Sequence, residues 1–527
     1  MITRRLGISA ISTPTEQDPP MTAAPTPHSE PLDVLIVGAG ISGIGAAYHL
    51  QQQCPGKSYA ILETQAGFGG TWRTHRYPGA RSDSDLFTFG YRFKPWEGAP
   101  IANAAEILTY LGEVIAENRL DAHIRYQHRI ASAAWSSAQQ RWLITAQRLG
   151  EDGETLETLQ ISANFLWMCQ GYYRHAEGYT PDWPGLADFK GEVIHPQLWP
   201  ADASLTGKQV VVIGSGATAA TLIPAIADQC AQVTMLQRSP TYFITARNAN
   251  ELADTLRQLD VPLEWTHEIV RRKILFDQAA FVRRCETEPE TAKQDLLLGV
   301  RAALGPGFEA HVTEHFTPRY RPWQQRIAFV PNADLFKPIR EGKAQVVTDE
   351  IDHFTADGIA LKSGRTLTAD VVVTATGFNL SVLGDIAFSI DGQPLDFSAC
   401  ITWRGAMFTG VPNMAWVFGY FRASWTLRTD LLADFVCRLL MHMDHTAQGS
   451  VTPSLRTPQD QDMSLQPWVD PGNFNPGYLA RGQHALPRQG DHSPWLHPQD
   501  YSTERAELPA ADLSDGTLVY QTRVAAP

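Results

Sequence analysis

The sequence predicts an α/β fold built from two Rossmann-like, dinucleotide-binding domains, with a helical insertion. Two glycine-rich loops support this prediction, GAGISG at residues 38–43 and GSGATA at residues 214–219. Each loop follows a short apolar run, typical of a strand buried on both faces of a parallel sheet, and precedes a helical pattern. The stretch 251–304 mixes apolar and charged residues, which indicates helices, and it is too long for an ordinary connection between strands.

The composition narrows the function classes. The formal net charge is −13, which argues against nucleic acid as a partner because phosphate binding needs a basic face. The six cysteines are scattered without a CxxC pair, as expected for reduced thiols in the cytoplasm and not for a disulfide framework or a zinc site. The sequence shows no serine–histidine–aspartate triad spacing, no metal-ligand cluster and no apolar run long enough for a membrane-spanning helix.

Residues 1–30 are predicted to form a disordered leader. They are rich in Pro, Thr and Ser, a composition that cannot bury enough apolar surface to fold. Arg4 and Arg5 look like the pair of a twin-arginine export signal, but no apolar stretch follows them. Met21 is an alternative start.

The first glycine loop has the surroundings of a phosphate-binding turn. The run 33–37 predicts a strand and residues 44–52 predict a helix. The next predicted strand, 59–62, ends on Glu63, whose carboxylate is placed to accept hydrogen bonds from ribose hydroxyls. Glycines at this turn allow close approach of a pyrophosphate to the helix N-terminus. The residues assigned to the turn are Gly38, Gly40, Ser42 and Gly43.

The second glycine loop differs in its ribose-binding position. The predicted strand 232–236 leads to Arg238 and Ser239, without a carboxylate. A carboxylate would repel a 2′-phosphate, whereas arginine forms a charge-assisted contact with it. We therefore assign the second loop to NADPH and the first to a dinucleotide without a 2′-phosphate, which the family resemblance described next implies is FAD; Arg238 as a plain surface charge is the alternative. The second turn comprises Gly214, Ser215, Gly216, Thr218 and Ala219.

Two longer motifs resemble the signatures of Baeyer–Villiger monooxygenases, flavoenzymes that insert oxygen next to a ketone carbonyl. Residues 189–200 (FKGEVIHPQLWP) show the spacing F-x-G-x-x-x-H-x-x-x-W-P, shortly before the second loop. Relatives that oxygenate nitrogen or sulfur usually lack the Trp-Pro ending. Residues 70–83 show Gly-x-Trp, four residues, Tyr-Pro-Gly, three residues, Asp, which matches a second signature of the same family.

The resemblance implies roles for several residues. Gly70, Thr71 and Trp72 would border the flavin, and Asp83 would orient a catalytic arginine. His195 and Trp199 would act at the joint between the domains, holding the nicotinamide over the flavin, although a purely structural histidine is the alternative. Members of the family usually carry a Lys-Arg pair at the place occupied here by Gln325 and Arg326. Arg326 is thus the predicted catalytic cation, with Arg319 and Arg321 as alternatives, and Gln325 departs from the pattern.

A subgroup resemblance concerns the second half of the chain. The stretches 315–334, 474–478 and 487–490 are similar to the ethionamide-activating monooxygenase subgroup, which implies open-chain or fatty ketones as substrates. In that subgroup the segment 423–427 lies near the active site, so Trp425 and Phe421 are candidate substrate residues. Such densely placed aromatic residues are otherwise typical of a core.

The resemblance predicts an FAD- and NADPH-dependent monooxygenase that converts ketones, mainly linear and aliphatic ones, into esters through a flavin peroxide. Its partners would be O2 and a small ketone or thioether. Oxygenation of sulfur or nitrogen is the nearer alternative, and a non-oxygenating flavin reductase or nucleotide-binding regulator is the further one. The predicted segments are an FAD domain at 31–172, an NADPH domain at 173–369 with an insertion near 247–315, and the second part of the FAD domain with a tail at 370–527.

Overall fold

The computed structural model describes residues 31–524, so the predicted leader lies outside the described residues. Its first large sheet has nine strands and mixes parallel with antiparallel pairs. The first glycine loop follows its strand Leu32–Val37, which pairs in parallel with Tyr59–Leu62 on one side and Thr155–Met168 on the other. The remaining strands are Ile124–Arg125, His128–Ser136, Arg141–Leu149, Ala387–Ile390, Gln393–Pro394 and Met414–Trp416.

The second large sheet has five strands, all parallel. Its order across the sheet is Ala344–Thr348, Gln232–Gln237, Gln209–Ile213, Val371–Thr374 and Glu192–Ile194. Both sheets place a glycine loop at the carboxyl end of a central, buried strand, as in nucleotide-binding α/β folds. The predicted fold class, two Rossmann-like domains of mixed α/β structure, is therefore confirmed.

The strand Val371–Thr374 corrects one predicted boundary. The segment 370–527 was expected to belong with the first sheet, but Val371–Thr374 pairs with Gln209–Ile213 and with Glu192–Ile194 in the second. All four of its residues are buried, because it is an inner strand covered on both faces. The chain returns toward the first domain only after this strand, where Phe378–Leu380 pairs with Tyr173–Gly178.

The helices agree with the predicted ones to within a few residues at most ends. A helix follows each glycine loop, Ile41–Gln53 and Ala217–Ile226. The long helix near the C-terminus begins at Trp425 and ends at His445. The others outside the insertion are Thr71–Thr74, Leu86–Phe89, Ala104–Glu117, Phe336–Arg340, Pro458–Gln461, Gly477–Gly482 and Tyr501–Ala510.

The insertion consists of the four helices Glu251–Gln258, Leu263–Thr287, Pro289–Leu304 and Glu309–His315. The second of these crosses back to the first domain, where buried Arg271 donates hydrogen bonds to the carbonyls of Phe87, Thr88 and Gly90. The insertion is thereby attached to both domains. No helix in the described part of the chain is long and apolar enough to cross a membrane.

Several small sheets complete the structure and connect the large ones. One pairs Phe243–Ala246 with Ala328–Pro331 in parallel, which positions the segment that carries Gln325 and Arg326. The others are Ile351–Thr355 with Gly358–Leu361 and Thr366–Thr368, Thr402–Trp403 with Met407–Phe408, Gln448–Pro453 with Leu518–Thr522, and Gln466–Pro467 with Arg488–Gln489.

Candidate active site

Both glycine loops open into one cavity of about 620 Å³ between the two large sheets. Its wall includes Gly38, Gly40 and Ser42 of the first loop and Gly216 and Thr218 of the second. The carboxyl ends of the central strands of both sheets thus meet at the same space. A cavity between two nucleotide-binding domains, with both loops in its wall, is where a reaction between two dinucleotides would take place.

The first loop is packed so closely that two of its glycines have no room for a side chain. Gly38 has φ +97°, and a Cβ built on it would lie 2.9 Å from the carbonyl oxygen of Cys169. A Cβ on Gly43 would lie 1.8 Å from the carbonyl oxygen of Gly38. The helix Ile41–Gln53 therefore begins directly against its own strand, which points its free N–H groups at the cavity.

Glu63 closes the far side of the first loop. Its side chain is buried, and it accepts hydrogen bonds from the backbone N–H groups of Ala39 and Gln65, both 2.8 Å. Burial raises the pKa of this carboxyl, while those backbone N–H groups oppose the rise. Each carboxylate oxygen keeps a free lone pair, and Glu63 borders the cavity, so a ribose diol can be accommodated there.

The segment 70–83 joins the two domains. Gly79 has φ +78°, and a Cβ on it would lie 2.4 Å from the carbonyl oxygen of Thr221 in the helix after the second loop. Arg81 forms an ion pair with Asp334 of the second domain. Trp72 and Thr71 border the cavity, as does Gly70, whose backbone faces Gly40. Only glycine fits at position 79, because a side chain would push the domains apart.

Arg326 and Asp83 meet in the cavity wall. Arg326 Nη1 lies 3.3 Å from Asp83 Oδ2, and the two side chains are 33% and 30% exposed. Burial acts to lower the pKa of Arg326, but the Asp83 carboxylate and the neighbouring Tyr172, Tyr478 and Tyr173 together outweigh it and hold the pKa well above its ordinary value. The guanidinium is therefore a permanent, oriented positive charge that faces the cavity. Gln325 borders the cavity beside it.

Three tyrosines surround this arginine, and sequence reasoning assigned them no function. Tyr172, Tyr173 and Tyr478 all border the cavity. The Tyr172 hydroxyl donates to that of Tyr173 at 2.7 Å, whereas the buried hydroxyl of Tyr478 has no hydrogen-bond partner within residues 31–524. Burial raises the pKa of both Tyr173 and Tyr478, so these phenols are neutral donors. Tyr172 and Tyr173 directly follow Gly171, where the chain crosses between the two domains. Their place at this crossing is the sequence feature that could have identified them as cavity residues.

The second loop is more open than the first. Gly214 has φ +129°, and a Cβ on it would lie 2.4 Å from the carbonyl oxygen of Ala375, but a Cβ on Gly216 would meet nothing within 4 Å. Ser215 is buried, and its hydroxyl donates to the carbonyl oxygen of Ser239 at 3.1 Å. Ala219 is fully buried beneath the turn. Arg238 and Ser239 are exposed at the end of their strand.

The two candidate substrate residues have different positions. Trp425 borders the cavity, stacks on Tyr172 with ring centroids 5.2 Å apart, and donates from Nε1 to Ser42 Oγ at 2.7 Å. Phe421 is 5% exposed and is not among the described residues that line the cavity. It packs in the core against Phe418 and Phe474 instead. The assignment of Phe421 as a substrate residue is therefore wrong, because a hydrophobic cluster takes up its ring.

His195 also lies outside the lining of the cavity in the described part of the chain. Its Nε2 is 3.1 Å from the carbonyl oxygen of Gly377, and its Nδ1 accepts from the N–H of Gln197 at 3.2 Å. Burial lowers its pKa. Both ring nitrogens thus contact backbone groups at the crossing between the domains, which supports a structural role for this histidine.

Three other histidines border the cavity, and the sequence singled out none of them: His75, His128 and His175. His75 Nε2 and His175 Nδ1 are buried and have no hydrogen-bond partner among the described residues. Burial lowers the pKa of His75 to about 4, so its ring is neutral at pH 7. Buried polar atoms without a partner are rare and costly, so these nitrogens indicate that a polar ligand completes the wall.

The residues present fit two dinucleotides. The tight first turn, the cleft between Gly40 and Gly70, and the remaining acceptors of Glu63 suit a pyrophosphate and a ribose. The unpartnered groups of His75, His175 and Tyr478 leave polar positions for ring atoms of a ligand. Within residues 31–524, no group of three or more His, Cys, Asp or Glu side chains is placed to hold a metal ion.

Comparison with known proteins agrees with this geometry. Residues 36–96 match a family of NAD(P)-binding Rossmann-like domains, and residues 99–253 match the flavin-binding monooxygenase-like family. The FAD-containing monooxygenase EthA of Mycobacterium tuberculosis is 45% identical over 499 residues, which cover 94% of this chain and 99% of EthA. The probable FAD-binding monooxygenase AlmA of an Acinetobacter species is 43% identical over 494 residues, which cover 93% of this chain and 97% of AlmA.

Among solved structures, an oxidized steroid monooxygenase bound to NADP superposes with a TM-score of 0.73. The match covers 93% of this chain and 99% of that one at 23% identity, which shows a shared fold. Nearly the full length of both the sequence relatives and the structural neighbour is matched. The chain therefore belongs to the flavin-binding monooxygenase-like family and is a flavin-containing oxidoreductase similar to EthA.

Proposed function

We propose that the protein is an FAD- and NADPH-dependent monooxygenase of the Baeyer–Villiger type. It inserts one oxygen atom of O2 next to the carbonyl of a ketone, mainly an open-chain aliphatic one, and the product is an ester. The observation that carries the proposal is the pair of Arg326 and Asp83, 3.3 Å apart in the wall of the cavity that both glycine loops enter. The two sequence signatures at 70–83 and 189–200 support the same reaction.

In this proposal the first loop holds FAD and the second NADPH. When bound, these groups supply hydride transfer and oxygen activation, and the protein supplies orientation and electrostatics. Glu63 accepts hydrogen bonds from the FAD ribose, and the N-terminus of helix Ile41–Gln53 faces the pyrophosphate. Arg238 is exposed after the second strand, where it can form a charge-assisted contact with a 2′-phosphate.

Arg326 stabilises the negative charge that develops on oxygen during the transfer. A preorganised cation in a site shielded from water is worth far more than the same cation in solvent, because it need not reorient during the reaction. Asp83 holds the guanidinium in position from the side. Removal of one such stabilising group typically costs about 10²–10³ in rate.

The cavity wall carries several aromatic side chains. Trp72, Phe89, Tyr420 and Trp425 border the cavity, whose lining surface is more apolar than polar. An apolar wall both excludes water and accepts an alkyl chain. This supports an apolar substrate such as an aliphatic ketone.

Oxygenation of sulfur in a thioether or thioamide is the second candidate function. The same cavity, arginine and cofactors would serve it, and the similarity to EthA covers nearly the whole chain. A soft nucleophile differs from a ketone in that no oxyanion forms on the substrate. The requirement for Arg326 is therefore expected to be smaller for sulfoxidation than for ester formation.

The deciding experiment measures NADPH-dependent oxygen uptake by the purified protein, with 2-dodecanone and a methyl aryl sulfide supplied separately. Products are identified by mass spectrometry. Ester from the ketone is the expected result, and the yield of sulfoxide measures how broad the activity is. Sulfoxide alone would favour the second candidate. Hydrogen peroxide without an organic product would contradict the proposal.

We further propose that the protein works in the cytoplasm. All six cysteines lie within the described residues and are unpaired, and all but Cys230 are buried. Unpaired cysteines are typical of reducing compartments. Fractionation of cells that produce the protein at native level tests this placement, and a membrane or extracellular pool as the main fraction would contradict it.

A further inference from the structure

A second concave site lies on the other side of the active-site wall, between helix Leu263–Thr287 and helix Tyr501–Ala510. This groove has a volume of about 860 Å³. The helix Tyr501–Ala510 packs against helix Trp425–His445. It forms one side of the groove, and helix Leu263–Thr287 of the insertion forms the other. None of the residues assigned to the two dinucleotides lines it.

The insertion helix presents an apolar track to the groove. Leu275, Phe276, Ala279 and Ala280 recur at helical spacing on one face, and all four line the groove. Phe276 is 73% exposed, a large apolar ring that the described part of the chain leaves uncovered. The two alanines leave room beside it. At 1.5 Å per residue, the face from Arg272 to Arg283 is roughly 16 Å long, comparable with an extended alkyl chain of medium length.

The same groove is rich in arginine. Arg272, Arg283, Arg284 and Arg505 line it, and Glu288 is the single carboxylate among its lining residues. Arg272 is paired with Glu268, and Arg284 with Asp295. In the described part of the chain, no ion pair or side-chain hydrogen bond involves the guanidinium of Arg283 or Arg505. Two guanidinium groups without a counter-charge therefore stand next to an uncovered apolar track.

We propose that this groove binds one amphipathic anion of the class of long-chain carboxylates. The alkyl chain lies along the track from Leu275 to Ala280 and removes the Phe276 ring from water. The carboxylate is held by Arg283 and Arg505, since the planar fork of a guanidinium matches two carboxylate oxygens. Neither feature alone selects this ligand class, but an apolar track with uncompensated arginines suits an apolar chain that ends in an anion.

The groove lies next to the active-site cavity. Tyr501 lines the groove, and its ring meets that of Tyr420 edge-on with centroids 6.1 Å apart. Tyr420 borders the cavity, and its hydroxyl donates to Glu504 on the groove helix. The rings of Tyr420 and Tyr501, in edge-on contact, thus lie between the cavity and the groove. The binding itself does not depend on which reaction the cavity performs.

The test is calorimetric titration of the holoenzyme with dodecanoate, kept below its micelle concentration. We expect saturable binding of one molecule of dodecanoate. Hexanoate, whose alkyl chain is too short to cover the track, and dodecyltrimethylammonium, whose head group carries the opposite charge, should each bind at least tenfold more weakly. The double variant R283Q/R505Q should bind dodecanoate at least tenfold more weakly. The matched control R247Q removes an exposed arginine of the same domain outside the groove and should bind normally.

A second variant, Ala280→Trp, fills the track without changing charge and should weaken dodecanoate binding to a similar extent. Flavin content and thermal unfolding of each variant show that it is folded. Equal dodecanoate binding by the wild type, R283Q/R505Q and Ala280→Trp would overturn the proposal, because the ligand would then lie in the active-site cavity. Absence of saturable binding to the wild type, or binding to micelles and vesicles only, would overturn it as well.

Discussion

The two glycine loops share a pattern but differ in how tightly the protein encloses them. At the first, a Cβ on Gly43 would overlap the carbonyl oxygen of Gly38, and buried Glu63 closes the ribose end. At the second, the equivalent small residue is already Ala219, Gly216 faces open space, and Arg238 is exposed. An enclosed site suits a cofactor that stays bound, and an open one suits a cofactor that must exchange at every turnover. The difference lies in the third small residue of the motif, Gly43 against Ala219, and in the surroundings of each loop.

The largest effect that this comparison predicts is that of Gly43→Ala. The new Cβ would lie 1.8 Å from the backbone oxygen of Gly38, where neither group can move freely. Overpacking of this kind costs about 1–3 kcal/mol and distorts the turn, so we expect protein that retains little flavin. The flavin-to-protein absorbance ratio measures this. Ala219→Gly is the matched control in the second loop and should retain the flavin. Equal flavin loss in both variants would contradict the proposed difference between a tightly enclosed first loop and an open second loop.

The second prediction concerns Arg326, which lies where the two loops meet. Arg326→Ala should lower ester formation about 10²–10³-fold, because a preorganised charge is lost. Anaerobic reduction of the flavin by NADPH, followed by stopped-flow absorbance, should stay near the wild-type rate. Arg321, whose guanidinium contacts Asn473, is the control. A comparable loss of product in Arg321→Ala would transfer the catalytic role to that residue.

The third prediction tests the open loop. Arg238→Gln should raise the KM for NADPH about tenfold, in line with loss of about 1.4 kcal/mol from one charge-assisted contact. The KM for NADH, which has no 2′-phosphate, should stay the same and serves as the internal control. Steady-state kinetics with both nucleotides measure the ratio. An unchanged preference for NADPH would make Arg238 an ordinary surface charge.

The smallest effect concerns the anchoring of the first loop's helix. Burial acts to lower the pKa of His49, but hydrogen bonds to Asp430 and Asp434 prevail and raise it to about 9. Protonated His49 therefore stabilises the fold fully below about pH 6.5, and this contribution is lost as the pH rises through about 9. We expect a loss on the order of 1–3 kcal/mol across that window. Urea unfolding at several pH values should show a flatter profile for His49→Gln, and parallel profiles would contradict the prediction.

Much of the fold was predictable because nucleotide-binding motifs are local. The strands and helices around both loops depend on short apolar runs and glycines, and the structure has them within a few residues of the predicted places. The predicted boundary at residue 370 placed Val371–Thr374 with the wrong sheet. A buried run of valines specifies a strand between two covered faces, but it does not specify which neighbours pair with it.

The candidate site shows the same division. The motif spacing indicated Arg326, Asp83 and the two loops, and these lie together at one cavity. The same reasoning could not separate Trp425 from Phe421, because both are aromatic residues of one short segment. Only the packing shows that Trp425 borders the cavity and that Phe421 lies in the core. Tyr478 was noticed only as part of a matching tail.

The sequence by itself determined the two nucleotide-binding turns and the family, because each depends on residues close together in the chain. Only the tertiary structure decided that Arg326 contacts Asp83 across 243 positions, that Gly79 must be glycine, and that an arginine-rich groove lies behind Tyr420. These features require distant segments to meet. Which segments meet is set by the packing of the whole core, and no local pattern records it.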